Sequence, residues 1–239
     1  MAVTLALVHL VRAANDLCHL RAFLSAYRAQ PAGIDHTLVL ACKGFSSHQI
    51  VAISSTWSGI ESRVLELPDT GLDFGTYRRA CLAIDHQYVC FLNSYSRPLA
   101  PRWLSLLHRV AVRPGVGLAG STGSLENIPH VRTNAFCMLR TRYLEYVQAD
   151  PSTKQEAYAL EHGPSSLTQQ ARKRGLSARI VNRAGREFDL VNACTSRTFR
   201  WGNQDQLLVA DNQTDQFAQG APAFRKYLQQ LAWRRVEPG

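Results

Sequence analysis

Apolar and polar positions follow one another along the first half of the chain in blocks whose period changes. Thr4–Val11 is a continuous apolar run, the pattern of a strand covered on both faces. Asn15 or Asp16 can cap the next block, Leu17–Ala29, in which Leu20, Phe23, Leu24 and Tyr27 recur at helical spacing. Pro31-Ala32-Gly33 closes that helix. The same reading gives strands at Thr37–Ala41, Arg63–Leu67, Tyr88–Leu92 and Val116–Gly120. Helices fall between them at Ser47–Trp57, Phe74–Asp85 and Pro101–Val112. Repeated β–α alternation with short connectors predicts an α/β fold, a mostly parallel sheet with helices on both faces.

Beyond about residue 121 the rhythm loosens. A loop containing Ser121–Pro129 precedes a short strand at Asn134–Leu139, and helices follow near Thr141–Gln148 and Ser165–Arg174. Leu176–Val181 and Phe188–Val191 read as strands and Ala221–Trp233 as a closing helix. No repeat, low-complexity tract or long linker interrupts the chain. Residues 1–239 are therefore expected to form a single domain with two halves, 1–121 and 122–239.

Composition sharpens this picture in one respect. Apolar residues make up 46% and charged residues 19%, an ordinary globular balance, but the net charge is +9 and 23 of the 27 basic residues are arginine. Arginine grips phosphates with a planar fork, so an anionic ligand is expected, although a basic surface also serves solubility alone. The arginines are dispersed, aromatics do not interleave them, and no helix-turn-helix or zinc motif occurs, so no nucleic-acid partner is expected. The six cysteines are scattered, mostly inside apolar runs, which suits buried thiols and a reducing cytoplasm. Ala2–Val11 is too short to span a bilayer, so any membrane contact is expected to be peripheral, at its inner face.

In open parallel sheets, ligands sit beyond the carboxyl ends of the strands. Here each apolar run stops in polar residues and glycines: Arg12 to Asp16, Lys43-Gly44, Asp69 to Asp73, and Asn93-Ser94-Tyr95-Ser96. Any one of these segments makes an ordinary turn or cap. Their coincidence at four successive strand ends points to a shared site. Downstream, His130, Arg132 and Asn134 alternate, so a strand would place them on one face, suited to hydroxyls or phosphate; a solvated edge strand would look the same. Asp205–Thr214 is polar around a short apolar core and reads as a lid.

The stretch Phe91-Leu92-Asn93-Ser94-Tyr95-Ser96-Arg97-Pro98-Leu99-Ala100-Pro101-Arg102-Trp103-Leu104, followed by Gly115-Val116-Gly117-Leu118-Ala119-Gly120, resembles the central part of family-2-like GT-A glycosyltransferases. In that family a strand ending in Phe-Leu-Asn-Asp-Asp leads to a Pro-x-Trp-Leu helix and a Val-Gly-Leu-Val-Gly strand. Gly71-Leu72-Asp73-Phe74-Gly75-Thr76-Tyr77-Arg78 stands where the family has a glycine-containing turn before a helix. The likeness runs over roughly residues 3–185 and is strongest over 88–121. A group of glycosyltransferase-like bacterial proteins is similar also at Pro129–Phe136 and Leu208–Thr214.

The resemblance implies a GT-A, Rossmann-like domain with a nucleotide-sugar half (1–121) and an acceptor half ending in a lid and helix (122–239). It implies a nucleotide-diphosphate sugar as donor and a glycan or other hydroxyl compound as acceptor, by analogy in surface-glycan synthesis. The implied donor site comprises Arg12, Lys43, Asp69, Asp73, Asn93, Ser94 and Arg97, and the acceptor site His130, Arg132 and Asn134. The family's Asp-x-Asp signature holds a divalent cation through carboxylates. This chain has Asn93-Ser94-Tyr95-Ser96 in its place, so Mn2+ or Mg2+ is expected to be weakly held or absent, with Asn93 and His162 as weak candidate ligands. Arg97, Arg132 and Arg12 are candidates to neutralise a leaving diphosphate instead. For inverting transfer the family uses an acid before a glycine-terminated helix. Leu160-Glu161-His162-Gly163 offers Glu161 as general base, one or two residues early. The missing carboxylates also suit a catalytically inactive nucleotide or glycan binder on the same scaffold.

Overall fold

A computed structural model of the chain describes residues 4–233; Ala2 and Val3 of the first apolar run, and the last six residues of the expected domain, lie outside them. The first half runs β1 (Leu5–Arg12), α1 (Leu17–Ala29), β2 (Thr37–Lys43), α2 (Ser47–Ile53), β3 (Arg63–Leu67), α3 (Leu72–Ala83), β4 (Tyr88–Leu92), a short β5 (Arg97–Pro98), α4 (Trp103–Ala111) and β6 (Val116–Gly120). The second half adds β7 (Gly123–Ser124), β8 (His130–Val131), β9 (Ala135–Leu139), α5 (Arg140–Tyr146), α6 (Lys154–His162), α7 (Leu167–Lys173), β10 (Ser177–Val181), β11 (Glu187–Asp189), β12 (Val209–Ala210), α8 (Asn212–Gln219) and α9 (Pro222–Trp233).

Eight strands form one sheet in the order β11-β10-β6-β9-β4-β1-β2-β3. β3, β2, β1 and β4 are parallel neighbours, and β10 is parallel to β6. β9 enters antiparallel between β4 and β6, and β11 closes the far edge antiparallel to β10. This is the mostly parallel α/β sheet that the apolar runs predict. Successive residues of β1 serve opposite faces: Leu5, Leu7 and Val11 pack with α1 and α4, while Ala6, Val8 and Leu10 pack with α3 and α5. Burying each such leucine or phenylalanine contributes roughly 2 kcal/mol, which ties the helices to both faces.

Three departures from the sequence expectation bear on the site. α6 forms across Lys154–His162, where the apolar spacing shows no helix and only the glycine after Glu161-His162 suggests a helix stop; Thr153 caps it through Glu156 N at 3.1 Å. Pro129–Phe136 is not one strand. β8 ends at Val131, the chain crosses at Arg132–Asn134, and β9 begins at Ala135. His130, Arg132 and Asn134 therefore share no strand face, and they are no solvated edge either, since each is at most 5% exposed. The expected lid is instead built into the interior. Val209 and Ala210 pair with Pro98 and Arg97, and buried Asp211 caps α8 through Thr214 N at 2.9 Å. Four cysteines are buried, Cys18 is exposed and Cys194 half-buried, all as free thiols. No helix among the described residues is long and apolar enough to cross a membrane.

Candidate functional site

The register of the parallel strands brings their carboxyl ends to one rim. Arg12 lies opposite Lys43 and Lys43 opposite Leu67, while His9 lies opposite Leu92, the last residue of β4. Two cations share one carboxylate oxygen there: Lys43 Nζ is 3.6 Å and Arg12 Nε 3.8 Å from Asp69 Oδ1. Gly44, at φ +77°, makes room for this, because a Cβ on it would stand 3.0 Å from Asp69 Cβ. Asp73 occupies the first turn of α3, where the helix dipole favours a negative charge. Burial raises its carboxyl above the ordinary range, Lys43 and Arg12 draw it back, and Glu161 pushes it up again. Burial likewise lowers the Lys43 ammonium, against the pull of Asp73 and Asp69. Four predicted residues, Arg12, Lys43, Asp69 and Asp73, thus form one coupled charge cluster.

The β4 end is wired differently. Asn93 Oδ1 accepts from Tyr95 N at 3.1 Å and from Ser96 Oγ at 2.8 Å, which closes the turn. Ser94 Oγ accepts from Asn15 Nδ2 at 2.8 Å and ties this turn to the end of β1. Arg97 points away into a bidentate pair with Asp215, both contacts 2.7 Å. These donors do not fit a tightly held divalent ion. No carboxylate stands at 93–96, the Asn93 oxygen is already engaged twice, and His162 Nδ1 accepts from Asn127 Nδ2 at 2.8 Å. Among the described residues no group of three His, Cys, Asp or Glu is arranged to hold a metal.

The second half builds a cleft of about 580 Å³ lined by His130, Arg132, Glu161, His162 and Arg200, with α8 and α9 forming its other wall. α6 packs on α3, which carries Asp73, and on β8, which carries His130. Glu161 consequently stands between rim and cleft. Its Oε1 accepts from Thr133 Oγ1 at 2.9 Å and from Thr133 N at 3.3 Å, which leaves Oε2 to act on a ligand. His130 Nδ1 lies 2.8 Å from Ile128 O, and a carbonyl only accepts, so Nδ1 carries the proton and Nε2 a free lone pair. Burial lowers this imidazole to about 4, with Glu161 opposing, so it is neutral at pH 7.

Arg132 and Asn134 do less at the cleft than their residue types suggest. Arg132 is buried against Asp211 at 2.7 Å. Asn134 is 2% exposed, its Oδ1 accepts from Thr122 Oγ1 at 2.6 Å, and its carbonyl takes Asn93 N at 3.1 Å and Ser96 Oγ at 2.7 Å. It therefore links the two regions from behind. Sequence reasoning does not single out Thr133, Asp211, Asp215 or Arg200. Only α6 left a readable signal, the Thr153-x-x-Glu156 spacing. Another cleft, about 600 Å³, lies beside Tyr27, His36 and Arg63 at the amino ends of β2 and β3, the edge opposite to the rim.

No family model and no curated protein matches the sequence. Solved structures do match. A mannosyltransferase from Pyrobaculum calidifontis, in complex with GDP-Man and Mn2+, is similar with TM-score 0.55 at 12% identity, over 81% of this chain and 59% of that one. A 4-diphosphocytidyl-2C-methyl-D-erythritol synthase from Anaerococcus prevotii gives TM-score 0.49 at 10% identity, over 75% and 88% of the two chains. Glucosyl-3-phosphoglycerate synthase from Mycobacterium tuberculosis, with Mn2+, UDP and phosphoglyceric acid, gives 0.43 at 12%, over 58% and 56%. This chain spans less than two thirds of the length of that mannosyltransferase. The likeness shows the fold, which is GT-A-like.

Proposed function

We propose that the protein transfers a sugar from a nucleoside-diphosphate donor to the hydroxyl of an acceptor, with inversion at the anomeric carbon. One observation carries this reading: Arg12 and Lys43 meet at adjacent strand ends and are loosely matched to a single oxygen. Their 3.6 and 3.8 Å separations contrast with 2.7 Å in the Arg97–Asp215 and Arg132–Asp211 pairs, and buried Arg12 Nε has no hydrogen-bond partner among the described residues. Two under-satisfied cations at the ligand edge of a GT-A-like sheet suit a diphosphate, and the fold likeness to a protein holding GDP-Man supports the same ligand class.

In this reading Asp69 and Asp73 accept hydrogen bonds from the nucleoside, and the β4 turn at Asn93 and Ser94 borders the sugar. The acceptor hydroxyl enters from the cleft. Glu161 Oε2 takes its proton while the oxygen bonds to the anomeric carbon, and the bond from that carbon to the diphosphate breaks with its electron pair leaving on phosphate. Arg12 and Lys43 stabilise the charge that develops there. Arg97 and Arg132, already matched by carboxylates, hold the walls.

Titration with uridine, guanosine and thymidine diphosphates, each with and without Mn2+, tests the donor site. Saturable binding with a nucleoside preference, weakened at least ten-fold in Lys43→Met, is the expected result. Binding that depends on salt but on no nucleoside contradicts it. Glu161→Gln is expected to keep that affinity and lose roughly 10²–10⁴-fold in release of nucleotide from a sugar donor. Turnover unchanged in this variant removes Glu161 from the mechanism. Diphosphate binding without release from any donor in the wild type favours the non-catalytic binder, to which the missing carboxylates at 93–96 also point.

A further inference from the structure

The cleft beside Glu161 contains a cation with no counter-charge in ion-pair range among the described residues. Arg200 is 6% exposed and lines the cleft; among the described residues its buried Nε has no partner and one terminal nitrogen reaches only the neutral Gln213 Oε1, at 3.1 Å. Arg132 lies over the same Phe199 ring, 4.0 Å from its centroid against 4.9 Å for Arg200. Arg132 has Asp211 at 2.7 Å, whereas no carboxylate among the described residues comes within 4.0 Å of Arg200. Glu126, exposed at the mouth of the cleft, and Asp211, behind Arg132, act on Arg200 only from beyond ion-pair range. Burying a guanidinium unmatched is unfavourable, and a bound anion offsets that penalty.

The surroundings also define how such a ligand would lie. Arg200 N donates to Gln204 Oε1 at 2.9 Å, and Gln204 Nε2 donates to Thr214 O at 2.9 Å, so the arginine stands on a braced base although its φ is +44°. Across the same cleft are Glu161, with Oε2 free, and His130, whose Nε2 lone pair can accept from a hydroxyl. The cleft therefore offers an anion anchor, a hydroxyl acceptor and a base.

We propose that this cleft takes an acceptor carrying an anionic group, carboxylate or phosphate, which Arg200 binds in a bidentate manner while Glu161 and His130 face the reacting hydroxyl. The proposal names the acceptor class for the transfer put forward above and rests on that reading for its catalytic meaning, but the binding event stands by itself.

Calorimetric titration of the whole chain, without nucleotide, with glucuronate, glucose 6-phosphate, inorganic phosphate and glucose tests it. Glucuronate and glucose 6-phosphate are expected to bind at least ten-fold more tightly than glucose, and their ratio tells carboxylate from phosphate. Inorganic phosphate is expected to compete with both. Arg200→Gln is expected to abolish the preference, Arg200→Lys to retain part of it, and Arg12→Ala to leave it intact. In the unmodified protein the Arg200 Nε–H resonance is expected to shift on saturation, a readout that no folding defect can mimic. Equal binding of glucose and the anions overturns the proposal, as does a preference lost in Arg12→Ala or an Arg200 resonance that stays in place. Because no nucleotide is present, failure here is distinct from failure of the donor titration.

Discussion

His9 stands at the centre of β1 with its ring stacked on Phe23 at 3.7 Å and both nitrogens buried without partners among the described residues. Burial lowers its imidazole to about 3, against an ordinary 6.5. Below pH 6.5 the unfolded chain binds a proton there that the native state refuses, so stability falls as pH drops, down to about 3. His130 acts in the same sense between 6.5 and about 4, whereas Asp73 opposes part of the loss because its raised carboxyl protonates first in the native state. Within the shared window each histidine costs about 1.4 kcal/mol per pH unit. His9→Phe, which keeps the stack, is expected to leave stability at pH 7 unchanged or higher and to flatten the acid limb, to which His130, His36 and His108 still contribute because burial lowers their imidazoles too. Thermal midpoints between pH 7 and 4.5 check this, and an equally steep limb refutes it. A second residue-level prediction concerns the buried Arg132–Asp211 pair. Asp211→Ala strands a buried guanidinium and removes the α8 cap, and is expected to cost about 3–5 kcal/mol, read as a fall of roughly 10 °C in Tm. The double variant Arg132→Met with Asp211→Ala is expected to lose less than the two singles together.

At the scale of elements, α6 matters most because it carries Glu161, the proposed base. It buries no residue fully, and its end rests on Gly163, where an added Cβ would stand 2.8 Å from Ala159 backbone atoms. Backbone cannot yield as a flexible side chain does, so Gly163→Ala is expected to displace Glu161. Turnover should fall by ten-fold or more with nucleoside diphosphate affinity unchanged; unchanged turnover would show that Glu161 tolerates the shift. The same helix illustrates what local pattern conceals. β1, β2, β4 and β6 are legible because continuous apolar runs bounded by turn residues have few other solutions, and α1 because Asp16 and an apolar stripe agree. α6 has no buried stripe to read. β9 is legible as a strand, but its antiparallel insertion between β4 and β6 is a non-local pairing that Ala135–Leu139 does not encode by itself. The charge cluster at the rim was visible in the sequence because strand ends are local features. The partners of Arg97 and Arg132 were not, since Asp215 and Asp211 lie 118 and 79 residues away.

At the scale of the whole molecule, the two halves share one sheet, and β9 of the second half lies between β4 and β6 of the first. The Asn134 carbonyl, just before β9, receives Asn93 N and Ser96 Oγ from the end of β4. Rim and cleft are thereby fixed to each other through backbone, and Glu161 stands between Asp73 on one side and His130 on the other. In the proposed transfer, donor and acceptor meet at that carboxylate without domain closure. In the proposed reading a nucleoside diphosphate occupies the carboxyl-end rim. A crystal structure of the chain soaked with GDP or UDP tests it most directly. Diphosphate density against Arg12 and Lys43, with the nucleoside beside Asp69 and Asp73, is the expected result. Nucleotide bound instead at the amino ends of β2 and β3, beside Tyr27 and His36, would contradict it.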